Sequence, residues 1–212
     1  MGAVLMRTMA LPSDASLLTP TSSLASELPP VQALPKVNMS CPERIWIGPQ
    51  YESLQVLVLG ESWYGDYEGD LVTDAGYIAA YLAGTQVDRM YTKMANATGL
   101  GKKKFWESVA FTNYVQRVGD TLDSRPTTQH YLHAKGRLRL LLSNLKPKGV
   151  WILGTEQGAY SAPVVRTTGV ACEVSPHPTR IGVTSAWLGQ GWHALVATLH
   201  SQGPRSSADA DA

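Results

Sequence analysis

Cysteine is scarce in this chain: Cys41 and Cys172 are the only two in 212 residues. A closed four-cysteine metal site or an iron–sulfur cluster needs four thiolates, so one chain cannot supply either. Two thiols this far apart give no support to a disulfide, and two reduced cysteines in a cytosolic protein are expected. An excess of one charge is missing too: 18 Lys and Arg face 17 Asp and Glu, for a net +1. That balance neither requires nor excludes nucleic acid, because a local basic patch can exist within a neutral total. No apolar run approaches the roughly 20 residues of a membrane span. The N-terminus lacks a compact apolar block with a cleavage site, so no signal peptide is expected. GxxxxGK[ST] and GxGxxG are absent, which counts against nucleoside triphosphate and dinucleotide sites. So is His-x-Glu with Pro-Cys-x-x-Cys, which counts against a zinc deaminase. There is no internal repeat.

What the sequence does have is organised around residues 54–66, LQVLVLGESWYGD. The apolar run of Val56, Leu57, Val58 and Leu59 suits a strand buried on both faces of a parallel sheet. Gly60 ends the run, and a polar-aromatic loop is expected after it. Three later segments repeat the form: residues 109–113, 150–154 and 170–177. Helical patterns are expected at 73–82, with Thr73 or Asp74 as cap, at 127–144, with Leu132 on the apolar face and Arg137 on the wet side, and at 191–199, and a short helix is expected to start at 155–160. A further helix carries Val87, Met90, Tyr91 and Met94, opened by the capping-box pattern of Thr85 and Asp88. Alternating strands and helices predict an α/β domain over residues 41–200 with a parallel sheet. Residues 1–40, rich in Ser, Thr and Pro, read as a flexible leader, and 201–212 as a disordered tail.

In open α/β sheets ligands bind beyond the carboxyl ends of the strands. That rule singles out Glu61 after the first strand, Asn113 after the second and His177 after the fourth. Glu61 suits orienting water or stabilising a cation, or else a cap. The Asn113 amide places a donor beside an acceptor, which matches one edge of a pyrimidine; a turn role is the alternative. His177 sits between Pro176 and Pro178, a rigid setting for a donor aimed at a developing oxyanion. Trp63 and Tyr64 stand where a base would stack, whereas Phe105, Trp106 and Phe111 have equal claim to the core. Lys102, Lys103 and Lys104 form a solvated face or a phosphate grip.

Taken in order, Gly60-Glu61-Ser62-Trp63-Tyr64-Gly65, Phe111-Thr112-Asn113, residues 150–154 with Gln157, and His177-Pro178-Thr179-Arg180 resemble the uracil-DNA glycosylase superfamily. The resemblance covers about residues 45–199 and implies a three-layer α/β/α fold with a central four-stranded parallel sheet flanked by helices. It implies that 60–65 is the water-activating loop, with Gly60, Ser62, Trp63 and Tyr64 against the base. Asn113 would read the pyrimidine edge, and His177 would donate to the base O2 as the glycosidic bond breaks. Thr179, Arg180 and Ile181 would enter the minor groove, with Ile181 filling the gap left by the flipped nucleotide. Many members carry Asp then Pro where this chain has Ser62 and Trp63. A Glu-bearing branch has Glu directly after the Gly, as Glu61 stands here, but also four cluster-binding cysteines that this chain lacks.

The expected activity is that of a monofunctional DNA glycosylase that excises uracil or a modified or damaged pyrimidine and leaves an abasic site. Neither metal nor cofactor is expected, and the expected partner is single- or double-stranded DNA bound by a monomer. The alternatives are a catalytically inactive nucleic-acid-binding module on the same fold, or an unrelated nucleotide-handling protein. The first two readings require Glu61, Asn113 and His177 to line one cleft, and both fail if these lie on opposite faces.

Overall fold

The computed structural model describes residues 45–64, 73–119 and 125–202, with only the backbone described for Tyr64 and for residues 117–119. The expected leader at 1–40, Gly65 and the tail beyond Gln202 lie outside the described residues, as does most of the expected 119–125 loop. Five strands form one sheet: β1 (Trp46–Ile47), β2 (Val56–Tyr64), β3 (Val109–Gly119), β4 (Gly149–Leu153) and β5 (Ala171–Ser175). Their order is β1-β3-β2-β4-β5. From β3 to β5 neighbours run parallel, while β1 pairs antiparallel with β3. The sheet is therefore five-stranded and mixed rather than four-stranded and purely parallel. The reason is local: Trp46 and Ile47 pair with Phe111 and Ala110, and the Trp46 Nε1–H donates to the Trp106 carbonyl at 2.6 Å.

Period-two alternation along β2 sends its side chains into two cores. Val56 and Val58 pack with α1 (Asp74–Ala83), α2 (Arg89–Thr98), α3 (Lys102–Ser108) and α6 (Ser185–Ser201). Leu57 and Leu59 pack with α4 (Thr128–Leu145) and α5 (Thr155–Arg166). Helices thus cover both faces of the sheet. The first core is heavily aromatic, with Phe105, Trp106 and Trp151 all at 0 % exposure, which places Phe105 and Trp106 in the core. Lys102 is turned inward onto the Tyr81 carbonyl (2.6 Å) and over its ring.

Several elements differ from the pattern expectation. β2 does not stop at Gly60. It runs to Tyr64 beside β3, so 60–64 is strand rather than loop. The register slips between Ser62 and Trp63, whose β3 partners are Val115 and Val118. Such irregularities re-aim side chains next to sites. The α2 cap is Asp88, whose carboxylate accepts from Tyr91 N–H at 2.9 Å, whereas the Thr85 hydroxyl donates back to Ala80 O. α6 starts at Ser185, capped by Thr184, and runs through Gly189 and Gly191. Gly191, expected to open the helix, lies inside it at a close approach: a Cβ there would overlap the Ser175 hydroxyl. On α4 the expected faces exchange two members. Leu132, expected on the apolar face, is exposed, while Arg137, expected on the wet side, reaches in to Thr112 and Asn113 of β3.

The connection after β2 crosses to β3 over one face, and the connection after β4 crosses to β5 over the other. A crevice at the carboxyl ends of β2 and β4 follows from that reversal.

Candidate active site

A cleft of about 980 Å³ opens at this switch point. Gly60, Glu61, Ser62 and Trp63 line it from β2, Asn113 and Phe111 from β3, and Leu153 and Gly154 from β4. His177, Thr179, Arg180 and Ile181 line it from the segment after β5. The fold thus brings nine of the ten residues singled out from sequence to one cleft. The tenth, Tyr64, ends β2 opposite Gly119, and its side chain is outside the described residues. The lysine triplet at 102–104 does not line the cleft.

Glu61 is buried and accepts from the Tyr131 hydroxyl at 2.8 Å. Tyr131 is stacked between Tyr114 (6.2 Å, 13°) and Tyr160 (5.0 Å, 20°), so the carboxylate is held by a wedged phenol. Asn113 pairs in register with Gly60, and its Oδ1 lies where a Cβ on Gly60 would stand. Only glycine at position 60 leaves room for that amide. The Asn113 carbonyl accepts from Arg137 (2.9 Å) and Gln116 (2.6 Å), which holds β3 at this point, within the strand rather than after it as expected.

His177 Nδ1 lies 2.8 Å from the Thr179 hydroxyl and accepts from the Thr179 backbone N–H at 3.3 Å. A backbone N–H only donates, so Nδ1 is the acceptor and the neutral ring carries its proton on Nε2. Burial pushes the His177 pKa down; nearby Glu61 opposes this, and Arg125 and Lys93 reinforce it. The imidazole is thereby kept neutral, with one N–H to offer. Lys93 on α2 donates to the carbonyls of Pro178 (2.6 Å) and Val183 (3.2 Å), clamping both ends of the segment that displays Ile181. Ile181 is 99 % exposed, on a turn closed by Gly182 in the left-handed region.

Asp74 is the main residue the pattern reading placed elsewhere, as a helix cap. Thr73 caps α1, accepting from Gly76 N–H at 2.9 Å. The fully buried Asp74 carboxylate instead accepts from the Thr112 hydroxyl (2.7 Å), Asn113 N–H (3.4 Å) and Asn113 Nδ2 (3.0 Å). Burial pushes its pKa up to about 6, against hydrogen bonds from Thr112, Asn113 and the Trp63 side chain and the charge of Arg137. The available signal was two adjacent cap residues, Thr73 and Asp74, for one helix start. Phe111, Tyr131, Arg125 and Lys93 were likewise not singled out as site residues. Among the described residues, no three His, Cys, Asp or Glu side chains group as a metal would require. No helix among them is long and apolar enough to cross a membrane.

This is an α/β chain with a strand-end cleft carrying a carboxylate, an amide and a neutral imidazole. Comparison with protein-family models and with curated proteins gives no match.

Proposed function

We propose that the protein is a DNA glycosylase of uracil-DNA glycosylase-like fold that hydrolyses the N-glycosidic bond of a flipped-out uracil or modified pyrimidine. The observation that carries this reading is the convergence of Glu61, Asn113 and His177 on one cleft with an exposed Ile181 at its mouth. DNA is gripped at its phosphates by the rim, Ile181 occupies the vacated stack, and the base enters the cleft. Trp63 and Phe111 wall it, and the Asn113 amide reads its edge. As the C1′–N1 bond lengthens, its electron pair moves into the base and charge gathers on O2, where His177 Nε2–H donates. A neutral donor suits this step, because burial disfavours a charged ring here and the one Nε2–H can still stabilise the oxyanion as it forms. Glu61, held by Tyr131, orients water toward C1′ and accepts its proton, so base and abasic sugar leave separately. The protein acts as a monomer.

Purified protein incubated with single- and double-stranded oligonucleotides carrying uracil or 5-hydroxymethyluracil is expected to leave alkali-labile abasic sites. His177→Ala and Asn113→Ala are each expected to lower the rate by on the order of 10²–10³ while keeping the fold. DNA binding with no abasic product from any modified pyrimidine would favour the inactive binding module instead.

A further inference from the structure

We propose that Asp74 is a positioning residue that fixes the orientation of the Asn113 amide and thereby limits the cleft to pyrimidines with a 4-oxo group. This rests on reading the cleft as a base pocket.

Asp74 has no role in ending its helix, since Thr73 supplies the cap. It is nevertheless fully buried beside the middle of β3, and the Thr112 hydroxyl, the Asn113 backbone N–H and Asn113 Nδ2 all donate to it. An ionised carboxylate only accepts. It therefore admits one end of the Asn113 amide, the nitrogen, and turns the oxygen the other way, over Gly60. With a carboxylate at position 74, the reversed amide would set oxygen against oxygen in a dry site, a costly arrangement.

Strand order gives that orientation its meaning. Asp74 stands against β3, Gly60 lies on the next strand, β2, and His177 follows β5, beyond β4. Oδ1 is thus the amide atom nearer His177, and Nδ2 the farther one. A pyrimidine whose O2 meets His177 presents N3 next along the same edge, then its C4 substituent. Oδ1 accepts from N3–H, and the second hydrogen on Nδ2 donates to the C4 carbonyl. Cytosine would bring the N3 lone pair against Oδ1 and its amino group against Nδ2, leaving both buried pairs unmade.

The same lock has a release. The charged group facing Asp74 is Arg137 from α4, joined by the Trp63 side chain from β2 and Thr112 from β3. Burial outweighs them and brings the carboxyl's titration to about pH 6. Once protonated, Asp74 can donate as well as accept, and either end of the amide can face it.

Two readouts on the full chain test this. The first needs no substrate: the ¹⁵N side-chain amide pair of Asn113, assigned by its loss in Asn113→Asp, followed from pH 5 to 8. It is expected to titrate with a midpoint near 6, and this step is expected to vanish in Asp74→Asn. Signals that titrate equally in Asp74→Asn overturn the lock, and signals that do not move overturn its release. The wild-type titration stands even if the variant does not fold. The second is the ratio of excision from uracil- and cytosine-containing oligonucleotides. It is expected to fall by on the order of tenfold in Asp74→Asn at pH 7.5, the worth of one mispaired buried polar contact. An unchanged ratio in a folded variant overturns the specificity role. Absence of any abasic product from the wild type would instead remove the glycosylase reading, and the amide titration would still decide the lock.

Discussion

Position 60 shows how narrow the tolerances of the cleft are. A methyl group there would overlap Asn113 Oδ1 and sit 3.1 Å from the tip of the Phe111 ring. Phe111 is locked against Tyr91 and Trp106, so the amide must move instead. Gly60→Ala is expected to lower excision by on the order of 100-fold, the cost of about 1 Å of misplacement. Its thermal unfolding midpoint should stay within a few degrees of wild type, read by calorimetry beside the activity assay. Asp74 makes a second prediction, in stability. Its carboxyl has a pKa near 6 in the folded chain against 3.8 when free, so between these values the folded state holds a proton that the unfolded state lacks. Stability from this group therefore rises as pH falls from 6 to 4, by up to about 3 kcal/mol. Denaturant melts at pH 4.5 and 7 should show that gain, and Asp74→Asn should lose it; an identical pH dependence in the variant would contradict the assignment. A carboxylate kept at such a cost at neutral pH fits a residue retained for what it orients.

Among the elements, the segment after β5 depends most on a single contact. Its turns, Arg180 N–H to His177 O and Val183 N–H to Arg180 O, are short-range and weak alone, and Ile181 at the tip packs on nothing. Lys93 joins the segment to α2 at both ends. Lys93→Met removes both donors but keeps the stem. Faster amide exchange at Arg180 and Val183, with core amides unchanged, is the expected result, together with a larger loss of excision on duplex than on single-stranded DNA. Equal exchange in variant and wild type would mean that the segment holds itself. Element types were legible where local chemistry sets them: α4 was expected at 127–144 and runs Thr128–Leu145, and the apolar runs at 56–59 and 150–153 are strands. Legibility failed where a residue's local meaning is overridden from a distance. The last helix was expected from Gly191, yet α6 begins at Ser185 and Gly191 inside it makes room for Ser175; α5, expected to start at 155, continues through Pro163. Glu61, Asn113 and His177 were visible because they follow apolar runs, although Glu61 and Asn113 lie within β2 and β3 rather than after them. Asp74, Tyr131 and Lys93 were not, because their partners lie 39, 70 and 85 residues away in sequence.

For the molecule as a whole, the near-neutral charge constrains how DNA would be held under the proposed function. A net charge of +1 supplies little general attraction, so phosphate contacts must come from the few cations placed at the cleft. Arg89, Arg125 and Arg180 line it, all exposed, while Lys102 is committed to Tyr81 on the far side of the first core. Each phosphate neutralised releases condensed counterions and contributes about −0.9 to the slope of log K against log salt on duplex DNA. The three rim arginines among the described residues therefore predict a shallow slope of about −3, measured by fluorescence anisotropy between 50 and 300 mM salt. Arg180→Ala and Arg125→Ala are each expected to flatten it by about one, with affinity falling alike for every sequence. Lys103→Ala and Lys104→Ala are expected to leave it unchanged. A slope near −8, or one insensitive to the arginines and sensitive to the lysines, would move the DNA path to the other end of the sheet. In that case the cleft would lose its claim to a flipped base, since the nucleotide must come from the strand held at its mouth.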